Sequence, residues 1–207
     1  MRDRYGVVVR ATCGPSSAPK ESMPTRFFDD GRLIYDFGET FLVRCPRCAR
    51  RAVVTRLDVA KLNKIDMWEK SESTDYPLMD ALFAPRRLVC THCGHTRDWP
   101  HPQRPEQRLT QAPMRPTGPA VGIGGPYDWY FCLPLWLQTP CCGHILWACN
   151  ADHLDYLYRF VTADLRAGNP HRNKSLASRL PDWMKSAKNR VPVTHGLQRL
   201  WELVGRE

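Results

Sequence analysis

Apolar residues recur at helical spacing in three stretches near the end of the chain, whereas the stretches before them carry the short runs expected of strands. In residues 151–167, Leu154, Leu157, Phe160, Val161 and Leu165 fall at helical spacing. Asn150 stands where an N-cap belongs, and Gly168 followed by Pro170 marks a stop. Residues 174–189 place Leu176, Leu180, Trp183 and Met184 on one face, but Pro181 interrupts them, which predicts two short helices at an angle. A last amphipathic helix is predicted over 194–204, where Leu197, Leu200, Trp201 and Val204 recur at i, i+3, i+4 and i+7.

Strands are predicted at 41–43, 52–55, 87–89 and 96–99. Residues 128–149 are the most apolar and aromatic part, with Trp129, Tyr130, Phe131, Trp136 and Trp147. They read as a buried hairpin of strands 133–138 and 145–149 around a turn at 139–144. Residues 1–32 mix Gly, Pro and Ser with scattered charge and read as a loose arm. Residues 100–126 hold seven prolines and four glycines without helical or alternating pattern and read as a linker. The expected class is α+β: a strand-rich unit at 33–99 with an insertion at 58–83, then an aromatic hairpin with C-terminal helices at 127–207.

Cysteine spacing gives the strand-rich unit a chemistry. Cys45-Pro-Arg-Cys48 and Cys90-Thr-His-Cys93 each sit between two predicted strands, so each pair falls at a hairpin tip where two sulfurs can turn toward one ion. Four thiolates in two such knuckles predict one structural Zn2+ in a zinc ribbon, a closed site with no open position for a reacting water. The interval is longer than the about 15–20 residues usual between such pairs, hence the insertion, which carries Leu62, Ile65, Met67 and Trp68 and suggests a short helix and loop. Gly94 follows the second knuckle, where a positive φ is often needed; Ala49 stands at the corresponding place in the first.

The remaining cysteines are less directive. Cys141, Cys142, His144 and Cys149, with Cys132 nearby, are open to three readings: small apolar residues of an aromatic core, a second metal site, or a redox centre. An adjacent pair lacks the two-residue spacing of a thioredoxin-type motif. Paired carboxylates find little catalytic context: Asp152 and Asp155 suit the first turns of a helix, and His153 beside them reads as a solvated helix residue. The glycine run at 121–125 lacks the Lys-Ser/Thr ending of a phosphate loop.

Across 207 residues the formal net charge is +9, which favours association with polyanions such as nucleic acid. The cations concentrate at Arg172, Lys174, Arg179, Lys185, Lys188 and Arg190, opposed in that stretch only by Asp182 and interleaved with Ser and Asn, a composition suited to a phosphate backbone. Arg44, Arg47, Arg50, Arg51, Arg86 and Arg87 add cations to the strand-rich unit. No apolar run approaches the about 18 residues of a membrane span, and no secretory or transit pattern opens the chain, so a cytoplasmic protein with reduced thiols is expected.

The two cysteine pairs resemble zinc ribbons of the general transcription factor IIB type, with similar knuckles in bacterial primosomal helicases and RNA polymerase subunits. The stretches Leu135-Trp136-Leu137-Gln138-Thr139-Pro140-Cys141-Cys142-Gly143 and 175–190 resemble a group of small bacterial zinc-ribbon proteins, often named by analogy with replication-restart helicase. The resemblance covers roughly residues 41–203 and implies zinc at Cys45, Cys48, Cys90 and Cys93; it brings no established reaction, and the helicase motor is missing. The expectation is a non-enzymatic accessory factor that binds DNA or RNA. The alternative is a protein-interaction scaffold that meets a larger machine through Trp136, Trp147, Trp183 and Trp201, and a third reading makes Cys141, Cys142 and His144 an active centre.

Overall fold

A computed structural model describes residues 24–57, 82, 84–99, 114–115, 118–119, 123–167 and 175–205. The class is α+β, with antiparallel sheets followed by helices at the C-terminal end. The four strands around the cysteine pairs form one antiparallel sheet in chain order: β2 (Thr40–Arg44), β3 (Arg51–Arg56), β4 (Arg86–Val89) and β5 (Thr96–Trp99). An earlier strand, β1 (Arg26–Phe28), lies outside that sheet. Alternation sets its register: Phe41 opposes Val54, Val43 opposes Ala52 and Val54 opposes Leu88, all buried. The insertion expected at 58–83 lies outside the described residues except for Leu82.

Along the free edge of β2 runs the segment before the second hairpin. Leu42 N–H donates to Cys149 O at 2.8 Å, Arg44 N–H to Pro134 O at 2.8 Å, and Trp136 N–H to Leu42 O at 2.8 Å. The edge of the sheet is thereby covered by protein, and Trp129, Tyr130, Leu135 and Cys149 complete its core. Asp128 shapes this segment: its buried carboxylate accepts backbone N–H bonds from Tyr130 (2.9 Å), Phe131 (2.7 Å) and Leu133 (2.6 Å).

Two short strands, β6 (Met114–Arg115) and β7 (Gly118–Pro119), pair within the stretch read as linker. The aromatic hairpin consists of β8 (Leu137–Cys141) and β9 (His144–Ala148), four residues later at its first strand than predicted. Cys142 and Gly143 both take positive φ, 51° and 76°, so two residues suffice for a turn that the sequence spread over six.

Helix α1 (Ala151–Thr162) starts as predicted, with the Asn150 side chain accepting from His153 N–H at 2.9 Å. It ends five residues early. Ala163 is extended, and Asp164 turns back to accept from Thr25 N–H at 2.9 Å and Thr25 Oγ1 at 3.0 Å. Strand β10 (Leu165–Ala167) then pairs in parallel with β1, whose Phe27 fills a core slot between Tyr156 and Phe160. So part of the expected loose arm is a strand, and Leu165, read as part of the helical face, is exposed.

Pro181 separates α2 (Leu176–Arg179) from α3 (Asp182–Lys185), the break its missing N–H predicts. Helix α4 (Arg190–Val204) begins four residues before 194, since Pro192 sits in the first turn, where no backbone donor is needed. It packs on α1, β8 and β9, and at Gly196 an added Cβ would stand 2.7 Å from Cδ2 of Leu146 in β9.

Candidate metal centre

The strands bring Cys45, Cys48, Cys90 and Cys93 together at one end of the four-stranded sheet. Their sulfurs all lie within 4.8 Å of one another, with Cys45 Sγ 3.7 Å from Cys93 Sγ and Cys48 Sγ 3.6 Å from Cys90 Sγ. These separations exceed the about 2.05 Å of a disulfide, so the cluster is four free thiols, close enough to hold one metal ion. The two knuckles match bond for bond. Cys45 N–H donates to Arg50 O at 2.8 Å and Cys90 N–H to His95 O at 2.8 Å; Ala49 N–H donates to Cys45 O and Gly94 N–H to Cys90 O, both at 2.9 Å.

Burial resists ionisation of Cys90, but the backbone N–H groups of Cys93 and His92 and the adjoining thiols outweigh it and bring its thiol down to about 7. At Cys48 the backbone bond near Arg50 favours the thiolate, yet burial and the three neighbouring sulfurs push the thiol up to about 12. Four sulfurs at this spacing are close enough to hold one cation among them.

Among the described residues, no second group of three or more His, Cys, Asp or Glu atoms converges in this way. Cys141 Sγ lies 3.7 Å from Cys142 Sγ and 3.6 Å from Pro192 O; Cys141 is buried and Cys142 exposed. Burial raises the Cys141 thiol to about 11, and Cys149 is fully buried with its thiol pushed up by the same cause. His144 instead stacks on Trp183, centroids 4.8 Å apart and planes 11° from parallel. Cys132 is exposed at the end of the Asp128 turn, with φ of 54°.

The cations divide by environment. Arg86, expected on the surface, is only 2% exposed: one guanidinium nitrogen donates to Gly38 O (2.9 Å) and Glu39 O (3.0 Å), and the group lies 4.5 Å from the Tyr130 ring centroid. It is a structural clamp, a role its position in an alternating strand does not announce. Arg87 pairs with Asp98 through two bonds of 2.7 and 2.9 Å, and Arg51 donates to Val204 O at 2.9 Å. Arg44, Arg47 and Arg50, around the first knuckle, are exposed, and no carboxylate of the described residues pairs with them. In the C-terminal basic stretch, Arg172 and Lys174 lie outside the described residues. Lys185 Nζ donates to Ser178 O at 2.8 Å and Arg190 stands 3.9 Å from Asp164, while Arg179 and Lys188 are exposed.

His153 corrects the reading of a solvated helix residue. It is 2% exposed, stacked on Phe37 at 4.9 Å and edged by Trp147 at 5.5 Å. The four tryptophans expected at an interface, Trp136, Trp147, Trp183 and Trp201, are all half-buried against the cores, and Trp136 Nε1–H donates to Leu203 O at 3.1 Å. Among the described residues no helix is long and apolar enough to cross a membrane. Comparison with family models, with curated proteins and with solved structures finds no match in any of the three.

Proposed function

We propose that the four-cysteine cluster holds one structural zinc ion, that the surrounding sheet is a zinc ribbon, and that the protein is a nucleic-acid-binding accessory factor. Zinc–sulfur bonds of about 2.3 Å place tetrahedral ligands about 3.8 Å apart, close to the 3.7 Å between Cys45 and Cys93 and the 3.6 Å between Cys48 and Cys90. A set of four soft thiolates suits zinc, and the site as ligated leaves no position for substrate. Cys45, Cys48, Cys90 and Cys93 would hold the ion, and the ion would lock the two hairpins into one sheet.

The observation that carries the functional reading is the set Arg44, Arg47 and Arg50: three exposed guanidinium groups beside one knuckle, with no described carboxylate to neutralise them. The end of β2, which carries Arg44, and the metal-braced turn after it, which carries Arg47 and Arg50, hold the three backbones at fixed spacing, which suits neutralisation of successive phosphates rather than reading of base edges. The grip is then insensitive to sequence and steeply sensitive to salt. The test is Arg44→Gln with Arg47→Gln and Arg50→Gln, titrated with single- and double-stranded DNA and RNA at several salt concentrations. Each lost phosphate contact reduces the log-log salt slope by about 0.7 to 0.9. An unchanged affinity and slope in a zinc-loaded, folded triple variant contradicts the reading.

A further inference from the structure

Between the short 3-10 turn at Ile34–Phe37, the face of β9 and the helices α2 and α3 lies a cavity of about 830 Å³. Sites for small organic ligands occupy about 300 to 1,000 Å³, are mostly apolar and contain a few placed polar groups. This one fits that description. Ile34, Leu157, Leu180 and Met184 supply aliphatic walls, and Trp183, held flat against His144, supplies an aromatic one.

Two polar groups stand out on this lining. His153 is 2% exposed, and its Nδ1 accepts the Cys149 N–H at 3.2 Å, so the neutral ring carries its proton on Nε2. That second nitrogen has no hydrogen-bond partner among the described residues, and the ring lines the cavity. Burial pushes the imidazole down to about 3, so the donor stays neutral at ordinary pH. Arg179 also lines the cavity; it is exposed, and no described carboxylate pairs with it.

We infer that this cavity binds a small organic anion: an apolar body packs among the aliphatic side chains and on Trp183, and the acidic group accepts the His153 Nε2–H with one oxygen and meets the Arg179 guanidinium with another. The lining selects this class. A nucleobase brings several polar edge atoms and a peptide brings an N–H and a C=O at each residue, and a mostly apolar lining, whose polar side chains besides His153 and Arg179 are Tyr35, His144 and the indoles of Trp147 and Trp183, leaves most of them unpaired at about 1 to 3 kcal/mol each. An apolar acid leaves only its acidic group to be satisfied, and Arg179 does so while remaining hydrated. The site is separate from the cysteine cluster and from the arginines of the first knuckle, so it stands whether or not the protein binds nucleic acid.

The test uses the purified, full-length, metal-loaded chain with two probes: 1-anilinonaphthalene-8-sulfonate, and N-phenyl-1-naphthylamine, a closely related ring system without charge. The expected result is saturable binding of the sulfonate at one site per chain, competed by dodecanoate. Arg179→Gln, at an exposed position, weakens the sulfonate about tenfold and leaves the uncharged probe within about twofold, as loss of one charge-assisted contact requires. In nitrogen-15 spectra the His153 Nε2–H resonance shifts on adding dodecanoate. Absence of saturable binding, weak binding at many sites, or an equal effect of Arg179→Gln on both probes overturns the inference. So do an unmoved His153 resonance and a concentration-dependent dimer that excludes the probes, the latter because it makes a second copy the occupant.

Discussion

Ala49 and Gly94 occupy the same place in two copies of one turn. Each donates its N–H to the carbonyl of the first cysteine of its knuckle at 2.9 Å, and each has a left-handed backbone, φ 59° and 68°. Only one of the two is a residue that adopts this conformation without steric cost. The first knuckle therefore carries strain that the second lacks, and the sequence shows it as alanine where its partner has glycine.

Ala49→Gly relieves that strain and stabilises the metal-loaded protein by up to about 1 kcal/mol, whereas Gly94→Ala introduces it at a cost of about 1 to 2 kcal/mol. No atom lies within 4 Å of a Cβ built at Gly94, so its cost is conformational and not a clash. Thermal unfolding and chelator competition on both variants check this. Equal and opposite shifts are not expected, since glycine also loses more chain entropy on folding.

Much of this knuckle geometry is legible from cysteine spacing alone, because two sulfurs three residues apart between strands can converge in few ways. The helices from Leu154, Leu176 and Leu197 onward are legible for a similar reason: an apolar stripe states its own period. What is not legible depends on partners distant in the chain. Leu165 fits the helical stripe, yet the Asp164 carboxylate bonded to Thr25 ends the helix, and pairing with Arg26 turns the next residues into a strand. Arg86 and His153 read as surface residues because charge or polarity usually means solvent; both are buried because Gly38, Glu39 and Cys149 present backbone groups to them.

His153 makes the fold acid-sensitive. In the folded protein burial holds its imidazole at about 3, below its ordinary value near 6.5. Between those values the unfolded chain binds a proton that the folded one refuses, so stability is fully present above about pH 6.5 and falls by about 1.4 kcal/mol per unit below it. His153→Gln keeps an acceptor for the Cys149 N–H and removes this proton. Denaturant unfolding between pH 6.5 and 5 should show a shallower loss of stability in the variant; identical slopes contradict the assignment.

At the contact of α4 with β9, Gly196 lets the helix approach Leu146. Gly196→Ala forces a buried, well-packed side chain aside and destabilises by about 1 to 3 kcal/mol. Adding Leu146→Ala relieves the clash, so the double variant loses less than the sum of the two single losses. Strict additivity in chemical denaturation contradicts this contact.

Within residues 172–190, Lys185 and Arg190 have partners inside the fold, and Lys188 is exposed. Lys188→Ala should weaken binding to a DNA or RNA strand at low salt and leave thermal stability within about 0.5 kcal/mol of the parent. Lys185→Ala lowers stability by up to about 0.5 kcal/mol, because the Ser178 carbonyl it leaves is exposed and can bond to water. Paired melting and binding measurements separate the two effects, and a Lys188→Ala protein with unaltered binding removes that residue from the interface.

Zinc at the four-cysteine cluster is the central proposal, and metal content tests it most directly. Protein purified without added metal should contain one zinc per chain by elemental analysis. Cys48→Ser and Cys93→Ser should each lose it, together with the dispersed amide resonances of β2 to β5, since structural zinc in small modules contributes about 10 kcal/mol or more to folding. A chain without zinc, or both variants retaining the metal and the sheet, contradicts the account.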